Sequence, residues 1–444
     1  MSVHRRGRAL IPIVSLLGLT QLGFLCGAAV MLLGLPISGS LRDSFIGFQA
    51  WQKQQEASQA SDVSDGLNGS MPRITLDKVD RADRTFDGYT LYMTSPTSEA
   101  TLVDMHGDVV HRWPLDLSRI LPQVTSPYHN SFCSPISGYL YPNGDLLVVF
   151  HAWSLGTYSG MGMAKLDKDA NVIWRLVDHF HHDVDVAEDG SIYALTQRLV
   201  TEPQKGFEYL TYPCMLDDLV CLSPDGKIKW TIPLLEAIAS SPYAAILGQL
   251  EAPIRNGVNL PEDPATDERR RDALHTNHVQ VLPQRLAAKF PMFKPGQILI
   301  SVRNLDAIAV LDPQSRTLVW AQCGPWHVQH DPEFLDNGRL LIFDNEGGSP
   351  SASRVLEFDP ATQEIPWCCS GQDDVQFYTP QRGMSQRLPN GNTLILSTNQ
   401  RRILEVTADK ELVWSCSCPG KETNFARRYA PEQLDFLDKS VTPR

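Results

Sequence analysis

The sequence predicts an all-β fold, a six-bladed β-propeller, carried behind one N-terminal transmembrane helix. Three observations predict it. A turn glycine followed by a short apolar run recurs at Gly88 (DGYTLYM), Gly144 (NGDLLVVF), Gly190 (DGSIYALT), Gly296 (PGQILISV), Gly338 (NGRLLIFD) and Gly391 (NGNTLILS). A matching set of runs closes on tryptophan, at Trp113, Trp174, Trp230, Trp320, Trp367 and Trp414. Ahead of both lie 27 residues, Ala9 to Leu35, without a formal charge.

In chain order, residues 1–8 form a basic cap containing Arg5, Arg6 and Arg8. The uncharged run after it, with 9–36 as the span, is long enough to cross a bilayer. It also exceeds the apolar core of about 7 to 15 residues that a cleaved signal needs. With arginines before the span and no basic cluster after it, the N-terminus is expected in the cytoplasm and the rest on the extracytoplasmic, periplasmic side. Residues 37–84 read as a juxtamembrane helix and a polar linker.

The net charge of the whole chain is −12, and the part beyond the arginine cap is more acidic still. A body of that sign lacks the basic footprint that phosphate backbones require, which excludes nucleic acid as a partner. The eight cysteines beyond the span (133, 214, 221, 323, 368, 369, 416 and 418) lie on the side where disulfides persist. Cys214 and Cys221 are spaced to staple one loop. Reduced, buried cysteines are the other reading.

The repeat occupies 85–424. Asn-Gly and Asp-Gly between apolar runs are hairpin turns, so each unit is an antiparallel meander of about four strands. One such sheet cannot bury both its faces; six arranged radially bury each other's. The repeated tryptophan is expected to pack between blades. Between Gly190 and Gly296 the spacing is 106 residues, against 42 to 56 elsewhere. The surplus, 234–274, is a lid or rim over one face, or a solvated decoration. Residues 425–444 are expected to cap the disc with a short helix.

Two slots in the repeat carry chemistry. His182 and His330 each lie eight residues before a turn glycine, with His275 and His278 in the equivalent place ahead of Gly296. Seven residues after the turn glycines come His151, Gln197, Arg303, Asn345 and Thr398, polar where the apolar alternation should continue. Inner strands line a propeller's channel, so matching slots converge there. Three imidazoles suit zinc, but the permanent cation of Arg303 beside them opposes a metal and invites an anion. No cofactor motif is present.

These residues resemble a known family. DGYTLYM with TLVDMHGDVVHRW, then HHDVDVAEDGSIYAL, LHTNHV, ILISVRNLDAIAVLD, QHDPEFLDNGRLLIFDN and QRLPNGNTLILSTNQRRILEVT are similar to the bacterial arylsulfate sulfotransferases, over about 85–430. The resemblance implies a six-bladed propeller that moves a sulfuryl group from an aryl sulfate to a phenol without a nucleotide donor. It implies His330 as the transiently sulfated nucleophile, with His182, His275 and Arg303 around the sulfuryl group. His151, His181, His278 and Asn345 are then expected at the substrate. Where the family resemblance suggests Ser this chain has His278, so either His275 or His278 lines the pocket; motif position favours His275. Better-known members also carry an N-terminal β-sandwich that this chain replaces with its anchor and linker. The alternative from another class is a non-catalytic scaffold propeller, bound to a membrane-protein partner or to further copies of itself. A hydrolase releasing sulfate without an acceptor is a third.

Overall fold

The computed structural model of the protein describes residues 74–437, apart from 80–83, 96–98, 124–132, 153–159, 252–253, 256–257, 260–271, 350–351 and 372–374. The basic cap, the span at 9–36 and the juxtamembrane helix lie outside the described residues. Among those described, no helix is long and apolar enough to cross a membrane.

Six antiparallel sheets form the propeller. The innermost strands are Glu422–Tyr429 (blade 1), Cys133–Leu140 (blade 2), Phe180–Val186 (blade 3), Thr276–Val281 (blade 4), His330–Phe334 (blade 5) and Met384–Arg387 (blade 6), each touching the next around a closed ring. The turn glycines join each innermost strand to the second in blades 2 to 6. Gly144, Gly190, Gly296, Gly338 and Gly391 all have φ between +81° and +89°, which is why the turns use residues without a Cβ.

The second strands carry apolar runs because both faces are covered. Leu340 and Ile342 point into the core shared by blades 4 and 5, and Leu341 and Phe343 into the core shared by blades 5 and 6. The tryptophans bind blades together, as expected. The indole N–H of Trp113 donates to Gly144 O, that of Trp174 to Pro224 O, that of Trp367 to Ala408 O and that of Trp414 to Met105 O, in each case a turn of the following blade.

Two boundaries differ from the sequence reading. The propeller does not end at 424: Glu422–Tyr429 pairs with Tyr89–Ser95 and supplies the innermost strand of blade 1. A ring made of open sheets leaves an edge at its seam, and the far end of the chain covers it. After this strand comes one 3-10 turn, Pro431–Gln433, with Leu434 and Phe436 packed on the blade 1 and 2 core. Thr75–Val79, assigned to the linker, instead adds an outer strand to blade 6, pairing with Leu412–Ser417.

The 234–274 segment is not wholly a rim. Its first helix, Leu234–Ala239, buries Leu234, Leu235, Ala237 and Ile238 in the core between blades 3 and 4. Of the two readings of Cys214 and Cys221, a staple or reduced buried cysteines, the structure has the second: both are free, buried thiols on one strand, Cys214–Leu222. Seven residues of extended chain hold them about 23 Å apart, beyond any S–S bond.

The inner strands present an unpaired edge to the channel, and side chains of the preceding blade satisfy it. Asp183 and Asp185 of blade 3 accept from the Val279 and Val281 N–H groups of blade 4, at 3.2 and 2.8 Å. Gln280 accepts from Phe334 N–H, Asp331 and Glu333 from Ser385 and Arg387 N–H, and Gln386 from Arg428 N–H. Acidic residues therefore line the inner wall for a structural reason, independent of any chemistry.

Candidate active site

The two polar slots meet because strands run antiparallel: an innermost strand begins where its second strand ends. Ser134 of blade 2 pairs with His151, Gln197 N–H donates to His179 O, and Arg303 N–H donates to His275 O. In blades 1 to 5 the innermost strand is also bulged, near Asn424, Ile136, between His181 and Val184, at Asn277, and between His330 and Glu333. Bulges re-aim side chains, and here they occur at the mouth of the channel. His182 (φ 54°), His275 (φ 51°), Asp331 (φ 47°) and Arg382 (φ 61°) all take the left-handed conformation that non-glycine residues rarely adopt. Such outliers concentrate at functional sites.

His330 is held from both ring nitrogens. Its Nδ1–H faces Asn345 Oδ1 at 2.7 Å and Val328 O at 2.9 Å, while Nε2 accepts from the Arg382 backbone N–H at 3.2 Å. These partners require a neutral ring protonated on Nδ1, with its lone pair on Nε2. Burial, and next the nearby Arg303 cation, bring the His330 pKa down to about 3. The ring is therefore an uncharged base at neutral pH.

His182 packs edge-on to His275, with ring centroids 4.7 Å apart, and to His181 at 4.9 Å; His151 is 6.4 Å away. Burial, then the neighbouring imidazoles, hold His182 well below its ordinary pKa, and burial does the same to His151 with Arg382 as the second cause. His275 donates Nδ1–H to Asp272 Oδ2 at 2.6 Å, which leaves its Nε2 as the free edge of the ring. Burial tends to raise Asp272, but His275, His181 and Arg303 outweigh it and keep the carboxyl ionised below its usual range. Arg303 opens a 3-10 turn, Arg303–Leu305, immediately after the second strand of blade 4. One of its terminal nitrogens donates to Asn304 Oδ1 at 3.1 Å.

The structure thus gathers His330, His182, His181, His275, His151 and Arg303 at one end of the channel. Three expected substrate contacts are placed otherwise, and the first, His181, is fully buried with its Nδ1 against His182 Nδ1 at 2.6 Å. Asn345 is fully buried with its amide committed: Oδ1 to His330, and Nδ2 to Thr379 O and Arg382 O at 2.9 and 2.5 Å. It stands behind the imidazole, not in front of it. His278 lies three residues deeper along its strand, where Nδ1 meets Asp183 Oδ2 at 2.8 Å and Asp331 Oδ1 at 3.5 Å, and Arg427 also pairs with Asp331 at 3.1 Å. Of the HTNH histidines, His275 is the one beside His182. Gln197 bridges Asp217 and Asp272, and Thr398 accepts from Gly383 N–H, so both are supporting groups.

The arylsulfotransferase (ASST) family matches residues 140–418, more than half of the chain. This chain belongs to that family. Its members' chemistry is sulfuryl transfer, in keeping with an arginine set beside clustered histidines. No curated protein matches it. Solved structures similar to this arylsulfotransferase-family chain include a protein of unknown function from Bacteroides caccae, at 11% identity and TM-score 0.48, covering 76% of this chain and 97% of that one. AztD from Citrobacter koseri stands at 10% and 0.36, covering 78% and 99%. For a virginiamycin B lyase from Staphylococcus aureus the values are 10% and 0.33, covering 63% and 69%. These distant likenesses carry no argument about the chemistry.

Three groups of the site escaped the sequence. Asp272 closes the charged DERRRD run and looks like solvated surface, although Asp-x-x-His is a spacing that pairs the two side chains. Asp217 sits in an apolar-looking strand, CMLDDLVCL, whose adjacent acids were the one visible irregularity. Arg382 carries no signal beyond its place before Gly383. Its guanidinium is bound by Glu422 and Asn424 of the closing strand, at 3.1 and 2.5 Å, a partnership more than 35 residues distant in sequence.

Proposed function

We propose that this chain is an aryl sulfotransferase working by two-step exchange, in which His330 carries the sulfuryl group between an aryl sulfate donor and a phenolic acceptor. The observation that carries the reading is the neutral, Nδ1-protonated His330, whose Nε2 lone pair becomes the nucleophile on leaving the Arg382 N–H at 3.2 Å. It attacks sulfur, the aryl oxygen leaves with the S–O bonding pair, and an N-sulfohistidine remains; a phenol oxygen then takes the sulfuryl group and restores the ring. The transition state spreads negative charge over the sulfuryl oxygens, as in phosphoryl transfer, so positioned cations and donors supply most of the catalysis. Arg303 offers a planar fork that cannot lose its charge. The reading also places the propeller outside the cytoplasm, anchored by the uncharged run at 9–36. It requires no cofactor.

The test is direct. Protein incubated with 4-nitrophenyl sulfate and no acceptor, then quenched and digested, is expected to yield the His330 peptide bearing one sulfuryl group, which disappears when phenol is added before quenching. Release of inorganic sulfate without any labelled peptide would make the protein a hydrolase. Neither label nor nitrophenol from any aryl sulfate would favour the scaffold reading.

A further inference from the structure

Sulfuryl transfer to and from phenols requires a proton at the leaving oxygen in one direction and its removal in the other. The histidines that would supply it carry no spare proton in this setting, because their charged forms are hardly populated at neutral pH. His181 is brought down to about 3 by burial first, and His182 is held well below its ordinary value by burial and the neighbouring imidazoles, so an imidazolium at either is disfavoured. A proton delivered here has to pass without charging a ring.

The geometry provides such a path. His182 Nδ1 faces His181 Nδ1 at 2.6 Å, so one of the two carries the hydrogen and the other accepts it. His181 is fully buried, and its Nε2, which makes no hydrogen bond, lies 3.6 Å from Asp217 Oδ1. Asp217 is 1% exposed, out of reach of any substrate. Its Oδ2 accepts from Thr276 N–H at 2.6 Å and its Oδ1 from Gln197 Nε2 at 3.3 Å. The same Gln197 amide reaches Asp272, the ionised partner of His275, at 3.5 Å. Two carboxyls joined through one amide in a buried site do not both ionise readily. Burial first, and Asp272 second, push Asp217 well above the ordinary carboxylate range, so it is the one that keeps its proton.

We propose that Asp217 is the proton store of this site, passing its proton through His181 and His182 to the departing phenolate and recovering it from the acceptor phenol. The proposal rests on the sulfuryl-transfer reading. In the first half-reaction the phenolate oxygen takes the Nε2 proton of His182, whose Nδ1 takes the Nδ1 proton of His181, whose Nε2 takes the carboxyl proton of Asp217. Both rings end neutral with their tautomers exchanged, and the product is a carboxylate already hydrogen-bonded by Thr276 and Gln197. The acceptor phenol reverses each step. No imidazolium is formed, and protons and charge balance over the full cycle. Asp217 is a positioning and relay residue, touching neither donor nor acceptor.

The test compares donors whose leaving phenols differ in acidity, by kcat/KM in the full-length protein. 4-Nitrophenolate departs with little need of a proton, whereas 4-methylphenolate needs one. For Asp217→Asn the loss with 4-methylphenyl sulfate is expected to exceed the loss with 4-nitrophenyl sulfate by roughly 10- to 100-fold, the scale of general acid catalysis. His181→Gln is expected to give the same pattern. Equal losses on both donors would overturn the relay while leaving sulfuryl transfer intact; no transfer by the wild type from either donor would overturn the underlying reading instead. Should both variants fail to fold, the wild type decides: a proton inventory in mixed H2O and D2O with 4-methylphenyl sulfate is expected to curve, as several protons move together, and a straight line would overturn the proposal.

Discussion

Asn345 holds His330 from behind. Its Oδ1 takes the Nδ1–H of the imidazole at 2.7 Å while its own nitrogen is spent on the carbonyls of Thr379 and Arg382. Those two bonds prevent the amide from flipping, and the amide in turn prevents the imidazole from changing tautomer. The Arg382 peptide closes the loop, since its N–H meets His330 Nε2.

Replacing Asn345 with Leu is therefore expected to lower kcat by roughly 10- to 1000-fold, because the ring loses the acceptor that keeps its lone pair on Nε2. KM for the aryl sulfate should change little, since Asn345 does not reach the substrate. Asn345→Asp keeps an acceptor but adds a negative charge, which favours the protonated ring; the acid limb of its kcat/KM profile should move to higher pH. A rise in KM with unchanged kcat would place Asn345 at the substrate after all.

Arg303→Lys keeps the charge and loses the fork. A loss of roughly 10- to 1000-fold in kcat is expected, on the scale of removing one transition-state donor. Steady-state rates with one donor and a saturating phenol measure it. Wild-type rates in this variant, alongside an inert His330→Ala, would show that another group clamps the sulfuryl oxygens.

Stability should carry the mark of the buried imidazoles. His330 and His181 sit at about 3, below the ordinary histidine value of 6.5. Between those values the unfolded chain binds protons that the folded one refuses. The stability they confer is thus complete above about pH 6.5 and drains as pH falls towards 3, by up to about 1.4 kcal/mol per pH unit for each group. His278 works the other way. Burial opposes its charge, but Asp183 and Asp331 outweigh burial and raise it, so its contribution is present at low pH and fades as pH rises through its folded value. Melting temperatures measured from about pH 7.5 to 4 should fall less steeply for His330→Gln than for the wild type, and more steeply for His278→Gln. Parallel curves would mean that these rings do not titrate as their surroundings dictate.

The chain divides into two units between Ser70 and Met71, and the propeller is complete from Thr75 to its closing strand Glu422–Tyr429. A chain beginning at Met71 is expected to be soluble and to retain the full protein's transfer activity, whereas the complete chain should sediment with membranes. Recovery of the complete chain, with its N-terminus intact, in the soluble fraction would refute the anchor at 9–36.

Much of the propeller was legible in the sequence, for a local reason. A turn glycine and the period-two alternation around it depend on residues within one hairpin, so the six repeats could be counted, and His182, His330 and Arg303 placed in matching slots, from pattern along the chain. The residues that support them could not be read this way. Asn345 was visible as a polar break in Leu340–Ser349, yet the alternation along the strand does not say that its amide meets the His330 imidazole of the adjoining strand and not the substrate. His275 and His278 have the same composition and nearly the same position, and the bulge at Asn277 separates them, one beside His182 and the other paired with Asp183 and Asp331. Cys214 and Cys221 suited a staple by spacing until extended chain put them at opposite ends of one strand. Arg382 acquires its partners from the closing strand, and Asp217 its place behind His181 from neighbouring strands of blade 3. Local pattern decided the number and kind of blades; closing them into a ring decided which side chains meet, because those contacts join residues that local pattern cannot relate.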